Sequence, residues 1–205
     1  MPDASSDFRP RDPAAERAIT GLWGAPALLW VGHLDANKDP LTVLDGVARA
    51  VPQLPGLQLW MCFGQAPLMP AVQARLQDPR LQGRVHLLGR VPHGQVEALM
   101  SAADFLVQGS HREGSGYSLI EALACGLPPV VSDIPSFRSL LGSLPAEGAA
   151  ALWPVGDAAA LAAALVRLAA RAPAREPVRA RFDAHCSRAA LGRRLVDAYA
   201  EGVSA

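Results

Sequence analysis

The chain has 205 residues, with 19 basic against 19 acidic side chains and a formal charge of zero. Half of the residues are hydrophobic, which excludes a disordered chain and suits one domain, or at most two small ones. A neutral total argues against nucleic acid as the main partner, because phosphate-tracking proteins carry a basic excess, so any anion site here is local. The basic residues are lopsided. Eighteen are arginine and one, Lys38, is lysine, with the one asparagine, Asn37, beside it. The background of 38 alanines, 18 glycines and 18 prolines suggests a GC-rich coding sequence, against which a lone lysine is a candidate for a chemically selected position. Cys62, Cys125 and Cys186 lie far apart without metal-ligand spacing, which favours a reducing, cytoplasmic compartment over a disulfide framework. The polar stretch from Pro2 to Arg17 lacks a signal-peptide pattern, and no apolar run reaches the roughly 20 residues that span a bilayer.

Residues 1–25, rich in Pro, Asp, Ser and Arg, read as an extended lead-in or linker, and residues 26–205 as one domain with helices at its C-terminal end. Ala27 to Gly32 is a short apolar run ending in glycine, the pattern of a buried parallel strand. A helix follows over 40–52, with Pro40 at its first position. A second glycine-ended strand spans 57–64, and a helix over 68–77 stops at Asp78-Pro79. A third strand covers 85–89, a helix 94–103, a fourth strand 104–108 and a helix 117–125 ending at Gly126. Pro129 to Ser132 is the fifth strand, a short helix surrounds 136–141, and 150–153 is the sixth strand. From Asp157 onward the pattern is helical, broken near Pro173 to Pro177. Strict alternation of strand and helix predicts an α/β fold: a single Rossmann-like domain, with a parallel sheet of about six strands flanked by helices. Ligands in such sheets bind at the carboxyl ends of the strands, near a topological switch point.

The loops after the strands therefore carry the candidate chemistry. The richest is Ser110 to Gly126, which follows a strand and opens a helix. Gly114 and Gly116 permit unusual backbone geometry, and the free N–H groups of the first helical turn can bind a phosphate or a sugar hydroxyl. Glu113 faces the ligand from the loop, and Glu121, eight residues on, lies in the helix. A carboxylate there can accept from a vicinal diol, as acidic residues do for ribose. The competing reading is a glycine-rich turn with a helix-dipole glutamate. The second constellation is Gly32 to Pro40, where Lys38 offers a point charge suited to a diphosphate and His33 can donate to the same phosphates. The alternative is a solvated lysine on a turn. Gly64 to Pro67 forms a tight loop, and Arg90 and Val91 follow the third strand, where they could face a flat base. His86 and His93 read as structural or solvated, His185 as remote from the rim, and Arg138 as exposed. A nicotinamide-binding turn would need G-x-G-x-x-G after the first strand, and Gly32-His33-Leu34-Asp35-Ala36-Asn37 lacks it. There is no metal-ligand cluster and no nucleophile elbow.

Over nearly its whole length the chain resembles the C-terminal, donor-binding half of GT-B fold glycosyltransferases of the retaining group 1, or family 4. The resemblance runs from Asp7-Phe8-Arg9-Pro10, similar to the end of the linker entering that half, and is most specific at Glu113 to Glu121 followed by Ala122-Leu123-Ala124-Cys125-Gly126. It implies that Lys38 contacts the donor diphosphate, with His33 where the family commonly has an arginine. It implies that Glu113 binds the transferred sugar, that Gly114, Ser115, Gly116 and Tyr117 bring backbone donors to sugar and phosphate, and that Glu121 binds the ribose. Ser115 replaces the usual aromatic and Tyr117 the usual aliphatic. Gly32 and Gly64 border the donor, and Arg90 and Val91 hold the base. Glu113, Lys38 and His33 are the expected catalytic set. The implied substrate is a nucleotide-diphosphate sugar carried by UDP or GDP, with no cofactor and no metal required. The implied setting is bacterial polysaccharide or glycoconjugate synthesis. The implied partners are an acceptor-binding N-terminal domain absent from this chain and, for the full-length enzyme, a peripheral membrane surface. Little or no transfer by the chain alone is expected. The competing functions are a nucleotide-sugar 2-epimerase-like domain and a noncatalytic nucleotide-binding module.

Overall fold

The computed structural model describes residues 4–203. Its sheet contains β1 (Ala27–Gly32), β2 (Gln58–Phe63), β3 (Val85–Gly89), β4 (Phe105–Gln108), β5 (Pro129–Ser132) and β6 (Ala151–Trp153). The spatial order is β3-β2-β1-β4-β5-β6, and every pairing is parallel. The chain moves outward from β1 to β2 and β3, then returns to place β4 against β1, with Leu28 beside Phe105 and Leu29 beside Leu106. The loops leaving β1 and β4 therefore diverge from neighbouring strands, and a crevice opens between them.

Strands buried on both faces need apolar residues at consecutive positions, and β1 shows why. Leu28 and Trp30 join one core with Val43, Leu44 and Val47 of α2 (Pro40–Ala50) and Leu161 and Leu165 of α8 (Ala158–Arg171). Leu29, facing the other way, joins the core built by Leu99 of α4 (His93–Ala102), Leu119 and Ile120 of α5 (Tyr117–Ala124), and Phe182 of α9 (Glu176–His185). Each fully buried leucine contributes about 1.5–3 kcal/mol. The remaining helices are α3 (Met69–Arg75), α6 (Pro135–Leu141), α7 (Leu144–Glu147) and α10 (Arg188–Val203). The one-turn α7 lies in a stretch where the sequence pattern showed no helix.

The lead-in is not extended throughout, as its composition suggests. It contains α1 (Pro13–Thr20), opened by Asp12, whose side chain accepts from Ala15 N at 3.1 Å, and closed by Gly21 at φ 69°. Phe8 and Leu22 are buried in the main core, and Arg17 donates to Ala102 O at 2.9 Å and pairs with Asp104 at 2.8 Å. A proline-rich, charged segment thus packs on the domain through a few apolar anchors. All three cysteines are free and buried, and burial pushes the Cys62 and Cys125 thiols up to about 12.

Candidate functional site

Two loops meet at the switch point. The first leaves β1. Asp35 Oδ1 accepts from Lys38 N at 2.9 Å, and Asp39 caps α2 by accepting from Thr42 N at 3.1 Å, its own backbone left-handed at φ 43°. Pro40 then begins the helix as expected. The second loop leaves β4 and ends at Gly116, the residue before α5. Gly116 has φ +67°, a left-handed backbone that favours glycine, and a Cβ there would crowd Leu140 Cδ1 at 3.1 Å. Gly116 supplies no side-chain cap to α5, and the N–H groups of a helix's first turn are a place where an anion can bind.

Asn37 stitches the loops together. His111 N donates to Asn37 O at 2.8 Å, Arg112 N donates to Asn37 Oδ1 at 3.1 Å, and Asn37 Nδ2 donates to Arg112 O at 3.0 Å. His111 Nε2 lies 3.2 Å from Asp39 Oδ2. The result is that Lys38 and Glu113 form an ion pair, Nζ to Oε1, with side chains 18% and 12% exposed. Below the loops, the buried Gln108 donates to Val31 O at 3.2 Å and to Ser118 Oγ at 2.7 Å, tying β1 to the start of α5.

His33 lies on the loop that leaves β1, with its ring turned to the loop that leaves β2. Its Nδ1 accepts from Gln65 N at 3.1 Å, which puts the hydrogen of the neutral ring on Nε2, and the ring lies against Gly64, where a Cβ would sit 3.2 Å from it. Gly64 N donates to Gly32 O at 3.3 Å. A Cβ on Gly32 would stand 3.2 Å from Trp30 Cη2 and 3.4 Å from Lys38 Cγ, so this glycine makes room for the lysine stem. Gly114 faces open space and Ser115 is half-buried, while Tyr117 is 61% exposed.

Glu121 occupies a separate recess. A cavity of about 410 Å³ is bordered by Glu121, Tyr117, His93, Glu97 and Phe8. Burial raises the Glu121 carboxyl above the ordinary glutamate range, an effect opposed by His93, whose Nε2 is 3.6 Å from Glu121 Oε1. The His93 ring lies 4.6 Å from the Phe8 ring. Arg90 is exposed and Val91 packs on the core; His93, rather than either of them, borders the cavity. His86 is structural: it stacks on Trp60 at 3.9 Å and meets Gln58 Oε1 at 2.9 Å. Arg138 is exposed and paired with Asp133. A larger cavity of about 590 Å³, at the amino ends of β1, β4 and β5, contains none of the expected site residues. Among the described residues no group of three or more His, Cys, Asp or Glu side chains is placed to hold a metal, and no helix is long and apolar enough to cross a membrane.

Asn37, His93 and Gln108 make contacts at or below the site that their residue types did not foretell. Asn37 had a signal in its singularity, whereas His93 needed the fold to bring α4 beside α5.

A family model described as glycosyl transferases group 1 matches residues 25–171. The chain is 31% identical over 167 residues to 2-deoxystreptamine N-acetyl-D-glucosaminyltransferase from Streptomyces fradiae, covering 78% of this chain and 39% of that protein. Sucrose-phosphate synthase from Thermosynechococcus elongatus superposes with a TM-score of 0.79 at 27% identity, over 98% of this chain and 52% of that one. The C-terminal domain of a glycosyl transferase group 1 family protein, LpcC from Francisella tularensis, superposes with a TM-score of 0.77 at 14% identity, over 88% of this chain and 96% of that domain. The chain thus spans about two-fifths of the first of these relatives and about half of the second. Its sheet order, its paired loops and the family match over most of its length place it together with them: the chain belongs to the group 1 glycosyl transferases, as a C-terminal domain of the GT-B fold.

Proposed function

We propose that this domain binds a nucleotide-sugar donor across the carboxyl ends of β1 and β4, and that the enzyme containing it transfers the sugar with retention to an acceptor held by a further domain. The observation that carries the reading is the juxtaposition of Lys38 and Glu113 at the switch point, next to the start of α5. A departing nucleoside diphosphate gathers negative charge on its phosphate oxygens as the glycosidic bond breaks. Groups already aimed at that charge lower the barrier without reorganising. Lys38 supplies a full positive charge, the first turn of α5 supplies N–H donors and the positive end of its dipole, and His33 offers Nε2–H. These donors neutralise the leaving group in place of a metal ion. Glu113 accepts from hydroxyls of the transferred sugar, and Gly114, Ser115, Gly116 and Tyr117 present backbone to sugar and phosphate. Glu121, on the floor of its recess, accepts from the ribose diol, with the base toward Arg90, Val91 and His93. The donor base is uridine or guanosine. The three free, buried cysteines suit a reducing cytoplasm, and the acceptor side belongs to a partner domain working at or near a membrane surface.

Isothermal titration with UDP, GDP, ADP and their sugars tests the reading. One of the diphosphates is expected to bind, and Lys38→Ala is expected to weaken it by roughly tenfold to a hundredfold, the worth of a charge-assisted hydrogen bond, with the free nucleoside unaffected. Equal diphosphate affinity in variant and parent would refute the assignment.

A further inference from the structure

We infer that Asn37 is a positioning residue for diphosphate recognition: it holds Lys38 opposite Glu113 by fastening the loop after β1 to the loop after β4. The inference rests on the donor-binding reading above.

Lys38 carries its charge on a flexible four-carbon stem, so the position of its ammonium depends on how firmly its backbone is held. Asn37 is the residue immediately before it. Through its main-chain oxygen, Oδ1 and Nδ2, Asn37 engages the backbone of His111 and Arg112 with three hydrogen bonds of 2.8, 3.1 and 3.0 Å. Glu113 is the residue immediately after Arg112. The clamp therefore sits one residue from each member of the ion pair, across a sequence separation of 75. The carboxamide acts here as a peptide group, accepting from one backbone N–H and donating to the carbonyl of the same residue. That reciprocal pattern selects asparagine. Aspartate has no donor, serine has a single hydroxyl on a shorter arm, and glutamine adds a methylene that breaks the register. The bonds go to main chain alone, so they do not depend on the exposed Arg112 side chain. The nucleoside end of the site is built differently. Glu121 lies in α5, whose Leu119, Ile120 and Leu123 are locked in the core, so it keeps its place when the loops part. Removing the Asn37 side chain thus releases the phosphate end and spares the nucleoside end, and small misplacements of a charged group are costly to recognition.

The test is titration of parent, Asn37→Ala, Asn37→Ser and Lys38→Ala with UDP, GDP and ADP and with the matching nucleosides, together with hydrogen exchange at the Arg112 amide. Asn37→Ala is expected to weaken the bound diphosphate about tenfold through loss of two side-chain hydrogen bonds, and to leave the nucleoside unchanged. Asn37→Ser should fall between it and the parent. The Arg112 amide should exchange faster in both variants. Parent-like diphosphate affinity in Asn37→Ala, a parallel loss of diphosphate and nucleoside, or unchanged exchange at Arg112 would each overturn the inference. If Asn37→Ala does not fold, Asn37→Ser with the exchange measurement decides on the same criteria. A parent that binds none of these nucleotides removes the donor reading and this inference with it. A loss in Lys38→Ala without one in Asn37→Ala removes this inference alone.

Discussion

If the domain binds a nucleotide sugar as proposed, the ion pair between Lys38 and Glu113 makes the two ends of that ligand interdependent. A free diphosphate reaching Lys38 competes with Glu113 for the ammonium, whereas a nucleotide sugar offers hydroxyls to Glu113 at the same time as phosphate to Lys38. Glu113→Gln removes the competing anion. It should tighten diphosphate binding by roughly two- to tenfold, the scale of a part-buried ion pair, and weaken the nucleotide sugar; titration of both ligands checks the opposite signs. Glu121 behaves differently because its carboxyl is raised by burial. The folded state then holds the proton more tightly than the unfolded state, so this carboxyl's penalty is absent below its unfolded value and sets in as pH rises through the higher folded value. Glu121→Gln should therefore raise Tm at neutral pH, with the gain vanishing in acid, while nucleoside binding falls. Thermal melts across pH, beside titrations with the nucleoside, read both. At this scale the residue types of Lys38, Glu113 and Glu121 marked them as candidates in the sequence. Lys38's actual partner did not show in sequence, because the two members lie 75 residues apart and meet through the sheet order.

The elements were legible wherever apolar spacing was regular. All six strands and the helices α2, α4, α5 and α8 follow their hydrophobic patterns, since burial on both faces of a parallel sheet leaves long apolar runs. Helix α1 escaped because its composition is that of a linker, although Asp12 before Pro13 and Gly21 after Thr20 are ordinary helix boundary signals. Helix packing sets a further prediction. Gly46 lets α2 lie close on α8: a Cβ there would stand 2.5 Å from Leu161 Cδ2 and 2.8 Å from its Cγ. Leu161 is fully buried and has nowhere to swing. Gly46→Ala gains up to about 1 kcal/mol of helix propensity, yet overpacking costs about 1–3 kcal/mol, so net destabilisation is expected and a lowered midpoint in chemical denaturation checks it. Gly116→Ala meets two obstacles, the left-handed backbone and the contact with Leu140, and should lower both stability and diphosphate affinity.

At the scale of the molecule, the chain matches one half of longer glycosyl transferase relatives, and its own charge is balanced. A single small anion needs only local positive charge, so a neutral protein with one well-placed lysine is consistent with a diphosphate ligand. On the donor-binding proposal, which assigns the acceptor to a further domain, the 205-residue chain is expected to bind donor and to transfer little or none of its sugar. Product analysis with labelled nucleotide sugar checks this, and robust transfer to a defined acceptor would contradict it. The sequence by itself determined the strand and helix alternation, the glycine-ended strands and the paired glutamates, because periodicity and residue chemistry are local properties of the chain. Only the tertiary structure decided that Asn37 clamps one loop to the other, that Lys38 meets Glu113, and that His93 and Phe8 border the recess around Glu121. These are contacts between segments far apart in the chain. Their geometry follows from the return of β4 to the side of β1 and from the packing of α4 and the lead-in, which no single stretch of residues specifies.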